Sequence, residues 1–193
     1  RYAMAAVSIV IPAFNEAGAI EETVVKVDDA FRDSGHTYEI IVVDDCSEDG
    51  TADRARLTRA RVITHPTNKG YGNALLTGVR NAAHPWIAIT DADGTYPVDM
   101  LPAMLDDAVN RNLDMLVGAR QGRHYYENFL KHGARYFFKK FTEFVVGRSI
   151  PDVNSGLRII RRSLIVGCSP ALSGGFSFTT SITIIAFQMS HHV

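Results

Sequence analysis

The chain has 193 residues, 46% of them apolar and 21% charged, with a formal net charge of −1. That length is enough for one α/β domain with a substantial core, and the near-neutral balance gives no general attraction to nucleic acid. There are only two cysteines, Cys46 and Cys168, so a disulfide framework is not expected and both read as small buried apolar residues.

Residues 1–6 read as an appended remnant or a disordered start ahead of the first strand. Val7 to Ile11 is a β-branched run stopped by Pro12, as a buried strand would be. Asn15 is placed to cap a helix reaching about Ser34-Gly35. Glu39 to Asp44 predicts a second buried strand, and Ser47 to Thr51 a turn with Thr51 capping the next helix. Arg61 to Thr64 is a short third strand. Gly70-Tyr71-Gly72-Asn73 opens a helix ending near Ala82, and Trp86 to Thr90 is a fourth strand. Pro97 to Asn112 reads as helical and Met115 to Gly118 as a fifth strand. Uniformly apolar strands alternating with helices predict a mostly parallel sheet covered on both faces.

Charge is unevenly distributed. Residues 121–193 hold nine Lys and Arg against three acidic residues, so the acidic excess lies in the first 120. Residues 124–148 read as one long helix with a heavy aromatic load. Lys131, Arg135 and Lys139 form a basic stripe on it at i, i+4, i+8. Two readings stay open for this helix: a core-packed helix with a solvated face, or an interfacial helix whose basic groups meet phosphate and whose aromatics meet lipid. The late apolar stretch Ile182 to Phe187 is too short to span a bilayer, which takes roughly 20 residues.

In parallel sheets the loops at the carboxyl ends of the strands form the ligand crevice. Three acidic loops fall there: Pro12 to Glu16, Asp44-Asp45, and Asp91-Ala92-Asp93-Gly94-Thr95-Tyr96-Pro97. Residues i and i+2 of a turn can aim at one side, so Asp91 and Asp93 suit a hard divalent cation and the phosphates it carries. The alternative is an Asx-rich turn before the next helix. Asp45, ending a strand, can accept hydrogen bonds from a base or ribose, whereas Asp49 and Thr51 read as turn chemistry. Asn68 to Ala74 is glycine-rich and opens a helix but lacks the ending of a P-loop, so it reads as support for a nucleotide pocket.

Taken together and in order, Pro12-Ala13-Phe14-Asn15-Glu16, Asp44-Asp45-x-Ser47-x-Asp49-Gly50-Thr51, Asn68-x-Gly70-x-Gly72 and Asp91-Ala92-Asp93-x-x-Tyr96-Pro97 resemble a family two glycosyltransferase of GT-A fold. The likeness is greatest to the polyprenyl-phosphate sugar synthases, the dolichol-phosphate mannose synthase group. Gly118-Ala119-Arg120, Asp152 to Arg158 and Gly175 to Thr180 extend it from Val7 to the chain end. The resemblance implies one catalytic domain over residues 1–193. It implies a UDP- or GDP-hexose donor such as UDP-glucose or GDP-mannose, Mg²⁺ or Mn²⁺ as cofactor, and inversion at the anomeric carbon. Pro12, Phe14, Glu16, Val43 and Asp45 would border the nucleoside. Asp91, Ala92, Asp93 and Thr95 would surround metal and diphosphate, with Asp91 and Asp93 as ligands. Arg120 would meet the donor or acceptor phosphate, and Asp93, Arg120, Asp152 and Arg158 would be the catalytic set.

A sugar acceptor needs a general base, whereas a lipid phosphate is already anionic. Phe176 to Ser181 holds only aromatics and hydroxyls, which favours a polyprenyl phosphate acceptor; the resemblance then implies a cytoplasmic enzyme, peripheral at the cytosolic face of a membrane. A glycan or other lipid acceptor, or a non-catalytic nucleotide-sugar binding module, are the competing readings. Relatives usually carry a further strand and a basic motif where this sequence ends at Val193, so a carboxy-terminal family segment is expected to be missing.

Overall fold

The computed structural model describes residues 4–118, 155–169, 172, 178–189 and 191–193. Among them the chain runs β1 (Ala6–Ala13), α1 (Ile20–Arg32), β2 (Thr37–Asp44), α2 (Thr51–Arg56), β3 (Arg61–Thr64), α3 (Tyr71–Asn81) and β4 (Trp86–Ile89). A single 3₁₀ turn (Val98–Met100) then leads into α4 (Leu101–Asn110), β5 (Met115–Val117), β6 (Arg158–Arg161), α5 (Arg162–Cys168) and α6 (Phe178–Gln188). The strands form one sheet in the order β3-β2-β1-β4-β6-β5. β1, β2, β3 and β4 are mutually parallel, and β6 runs antiparallel between β4 and β5.

Two-residue periodicity sorts each strand onto two cores. Val7, Ile9, Ile11, Ile40, Val42, Ala88 and Ile159 pack with α1 and α4 on one face. Val10, Ile41, Val43, Ile87, Ile89 and Ile160 pack with α3, α5 and α6 on the other. Because both faces are covered, the strands are mainly apolar. Among the described strands, β6 alone was not expected from the sequence.

Strand β1 does not stop at Pro12 but continues to Ala13, and the reason shapes the site. Asp45 N donates to Ala13 O on the β2 side, and Thr90 N donates to Val10 O on the β4 side. Alternate residues face opposite neighbours, so Pro12 faces β4. Having no N–H, it cannot supply the next rung there. The β1–β2 ladder is unaffected, whereas the β1–β4 ladder ends at Thr90 and the Asp91–Asp93 segment leaves the sheet. The strand order also reverses between β1 and β4, which is where open α/β sheets place ligands.

Candidate active site

The crevice at this edge holds about 570 Å³ and is lined by Pro12, Phe14, Glu16, Asp45, Asn68, Gly70, Tyr71, Asp91, Ala92, Asp93, Gly156 and Thr179, among others. Its first wall consists of two loops stitched together. Asn15 N donates to Ser47 Oγ at 2.9 Å, and Glu48 N donates to Asn15 Oδ1 at 3.0 Å. Glu16 N donates to Thr51 Oγ1 at 2.8 Å, and Ala17 N to Asp49 Oδ2 at 3.0 Å. Asn15 is therefore not a helix cap. Its φ is 55°, a left-handed conformation that asparagine tolerates, and α1 starts five residues later. Thr51 is likewise the first residue of α2 and not its cap; the cap position is Gly50, with φ 90°. Asp49 and Thr51 do the turn work expected of them, since Thr51 N donates to Asp49 Oδ1 at 3.0 Å. Phe14 is left 48% exposed at the rim, an apolar ring available for stacking.

Asp45 is buried and accepts three hydrogen bonds. His65 Nδ1 lies 2.7 Å and Lys69 N 2.8 Å from its Oδ1, while Gly70 N donates to Oδ2 at 2.7 Å. Burial alone would raise this carboxyl, but the bonds from His65, Lys69 and Gly70 outweigh it and hold it below the usual range. A lowered folded-state value means that the unfolded chain binds the proton more readily, so the stabilisation is complete above the ordinary carboxylate value of about 3.9 and fades below it. Asp45→Asn should therefore unfold at lower denaturant than the parent at pH 7, with the gap closing as pH falls below about 4. A gap that does not depend on pH in urea titrations would contradict this.

Asp91 is fixed from two sides. The Tyr71 hydroxyl donates to Oδ1 at 2.9 Å. Gly156 lies so close that a Cβ there would stand 2.8 Å from Oδ2, so any larger residue would displace the Asp91 carboxylate. Burial and the Asp91 charge push the Tyr71 phenol up, which keeps it a donor. Gly156 is held in turn by donating to Tyr96 Oη at 2.8 Å, and Ala92 O accepts from Thr23 Oγ1 at 3.1 Å. Asp93, by contrast, is exposed, and its Oδ1 accepts from Thr95 N and Thr95 Oγ1 at 3.0 and 2.8 Å. Burial and the nearby charges of Asp93, Asp49 and Asp91 raise the Glu16 carboxyl. That repulsion marks a field suited to a cation. No group of three or more His, Cys, Asp or Glu placed to hold a metal occurs among the described residues. Mg²⁺ or Mn²⁺ can, however, be held through one or two carboxylates plus substrate phosphates, and Asp91 with Asp93 fits that donor set.

Two expected site residues lie elsewhere. Val43 is 0% exposed in the core on the α3 side, and its side chain is not part of the crevice lining. Arg158 is also fully buried. Its Nε donates to Ser155 O and its Nη1 to Thr183 Oγ1, each at 2.7 Å, so it ties β6 to α6 and its side chain is not part of the crevice lining. Thr95 supports Asp93 without lining the crevice. Arg120, Asp152, Lys131, Arg135, Lys139 and the helix expected over 124–148 lie outside the described residues. Sequence reasoning missed His65, Tyr71 and Gly156, whose partners are 20, 20 and 65 positions away in the chain.

Residues 8–167 match the sequence profile described as Glycosyl transferase family 2. The chain belongs to this family. Among its family 2 relatives, the low-salt glycan biosynthesis hexosyltransferase Agl6 of Haloferax volcanii is 31% identical over 93% of this chain and 44% of its own length. The dolichol-phosphate mannosyltransferase of Pyrococcus furiosus is 28% identical over 83% of this chain and 47% of its own. The chain thus spans about half the length of these relatives. The GT-A fold is shared with Mycobacterium tuberculosis glucosyl-3-phosphoglycerate synthase, solved with Mn²⁺, UDP-glucose and glycerol 3-phosphate. The TM-score is 0.75 at 21% identity, covering 96% of this chain and 66% of that one.

Proposed function

We propose that this chain is the catalytic domain of an inverting, metal-dependent hexosyltransferase. It takes UDP- or GDP-hexose as donor and polyprenyl phosphate as acceptor. The observation that carries the reading is the placing of Asp45 and Asp91 just past the carboxyl ends of β2 and β4, the strands either side of β1. Two strand spacings span about 10 Å, which suits a nucleoside with its base at Asp45 and its diphosphate at Asp91 and Asp93. Phe14 offers the base a stacking surface and Glu16 offers the ribose an acceptor.

A bound Mg²⁺ or Mn²⁺ would neutralise the charge that develops on the leaving diphosphate. The protein's share is to hold Asp91 immobile through Tyr71 and Gly156, and to keep Asp93 at the open mouth. Arg120 is proposed to meet a donor or acceptor phosphate and Asp152 to orient the sugar. From α6 the crevice receives Thr179, a hydroxyl. A phosphate acceptor arrives already ionised and needs no base there, so rate enhancement rests on orientation and electrostatics. The name of the Pyrococcus relative, a dolichol-phosphate mannosyltransferase, agrees with this acceptor class. Among the described residues no helix is long and apolar enough to cross a membrane. Peripheral attachment at a cytosolic membrane face, through the basic stripe at Lys131, Arg135 and Lys139, is part of the proposal.

Mixing the protein with UDP-glucose or GDP-mannose, polyprenyl phosphate in vesicles and Mn²⁺ should release the nucleoside diphosphate and form a polyprenyl-phosphate hexose of inverted anomeric configuration. Chelation of the metal should stop it. Turnover that persists in excess EDTA, or that needs a sugar hydroxyl in place of the lipid phosphate, would overturn the reading.

A further inference from the structure

We infer that His65 is a positioning residue of the donor subsite, fixing the carboxylate of Asp45 so that it selects a nucleobase presenting an N–H edge. The inference rests on the donor reading above and goes a step further, to the origin of base selectivity.

His65 follows β3 directly, and its backbone N–H donates to Asp44 O at 2.9 Å, in the manner of one more β2–β3 rung. The ring is 5% exposed and both of its nitrogens are engaged. Nδ1 lies 2.7 Å from Asp45 Oδ1, and Nε2 lies 2.9 Å from Thr77 Oγ1 on α3. An ionised carboxylate can only accept, so Nδ1 carries the proton; in the neutral ring Nε2 then accepts from the threonine hydroxyl. Asp45 thereby connects β2 to β3, to the glycine loop through Lys69 and Gly70, and to α3 through His65 and Thr77.

The distribution of bonds decides what is left for a ligand. Oδ1 receives two donors, His65 and Lys69, while Oδ2 receives Gly70 alone. A carboxylate oxygen has two lone pairs, so Oδ2 keeps acceptor capacity in a residue that lines the crevice. Such an acceptor pairs with the N3–H of uracil or the N1–H of guanine. It meets a lone pair on the corresponding nitrogen of cytosine or adenine. That mismatch leaves a buried anion facing an acceptor, which discriminates more strongly than a missing contact. The selectivity depends on Asp45 staying ionised and unrotated. Without His65, Oδ1 would lose its only side-chain donor, and the carboxylate could turn toward whichever base is offered.

The test is equilibrium binding of UDP, GDP, CDP and ADP, each with Mn²⁺, to the full chain and its variants. The parent should bind UDP or GDP at least about tenfold tighter than CDP and ADP. His65→Ala should weaken the preferred nucleotide by about tenfold, the scale of one charge-assisted hydrogen bond, and compress the preference. His65→Asn, whose amide N–H can stand where Nδ1–H stood, should restore it. Should His65→Ala melt below the assay temperature, Thr77→Val serves in its place. It keeps the ring but removes its anchor, and it should compress the same ratio less. A merely structural role would weaken all four nucleotides alike. Unchanged selectivity in folded His65→Ala or Thr77→Val overturns the inference while leaving the donor reading intact. A parent that binds none of the four overturns both.

Discussion

Asp93→Ala should lower kcat by roughly 10³-fold, the scale seen when one preorganised electrostatic contact to the developing charge is removed. It should do so without loss of fold. Asp93 is exposed, and the hydrogen bonds its carboxylate accepts from Thr95 lie within its own turn. Its charge is, moreover, among the causes that raise Glu16. Removing it relieves like-charge repulsion, so thermal stability at pH 7 should hold or rise while activity collapses. Asp93→Asn should behave in the same way, since the charge matters more than the volume. Product-release kinetics and melting curves on the same samples check both halves. Near-parental turnover would remove the metal–diphosphate assignment. A collapse in stability parallel to activity would make Asp93 a structural turn residue.

Gly78→Ala should destabilise the domain even though alanine is the better helix former. Gly78 lies on α3 directly over β1. A Cβ there would stand 2.3 Å from Val10 Cγ1 and 3.1 Å from its Cγ2. Val10 is fully buried in the centre of the sheet and has no open space to move into. The helix-propensity gain of about 1 kcal/mol opposes an overpacking cost of about 1–3 kcal/mol, and the very short approach puts the cost at the upper end. Adding Val10→Ala should recover part of the loss, because the two changes share one space and cannot be additive. Urea denaturation of the two single variants and the double variant completes the cycle. A Gly78→Ala protein as stable as the parent would mean that α3 does not sit this close to the sheet. Since α3 begins at Tyr71, the donor that holds Asp91, lifting the helix should also weaken nucleotide binding.

Much of this architecture is legible in the residues themselves. β1 to β5 announce themselves as short β-branched or apolar runs bounded by turn residues, and each begins and ends within two residues of its expected bounds. Arg158 to Arg161 is different: two isoleucines between two arginines do not look like a central strand. It becomes one because Arg158 finds Ser155 O and Thr183 Oγ1 in the interior, while Arg161 lies over the Trp86 ring at 4.6 Å. Helix α6 was equally hidden. Phe178 to Gln188 has no charged residue, and its β-branched residues are buried on more than one side, so no polar stripe betrays the period.

In the site, carboxylates beyond buried strands marked Asp45, Asp91 and Asp93 as crevice residues, and the family resemblance added Phe14 and the nucleoside-side role of Glu16. Type could not assign the roles of their neighbours. Asn15 has the chemistry of a helix cap and instead bridges two loops. Arg158 has the chemistry of a phosphate ligand and is instead enclosed. In both cases the deciding partner is more than twenty positions away, and only the topology brings it close.

The reversed direction of β6 divides the crevice by ancestry in the chain. The described crevice residues from Pro12 to Asp93 come from one uninterrupted stretch of strand–helix units, whereas Gly156, just ahead of the antiparallel β6, and Thr179, on α6, enter from the far end of the sequence. The half proposed to face the nucleotide and the opposite wall can therefore diversify separately. The seam where they meet, along β4 and β6, is the part that must be kept by both.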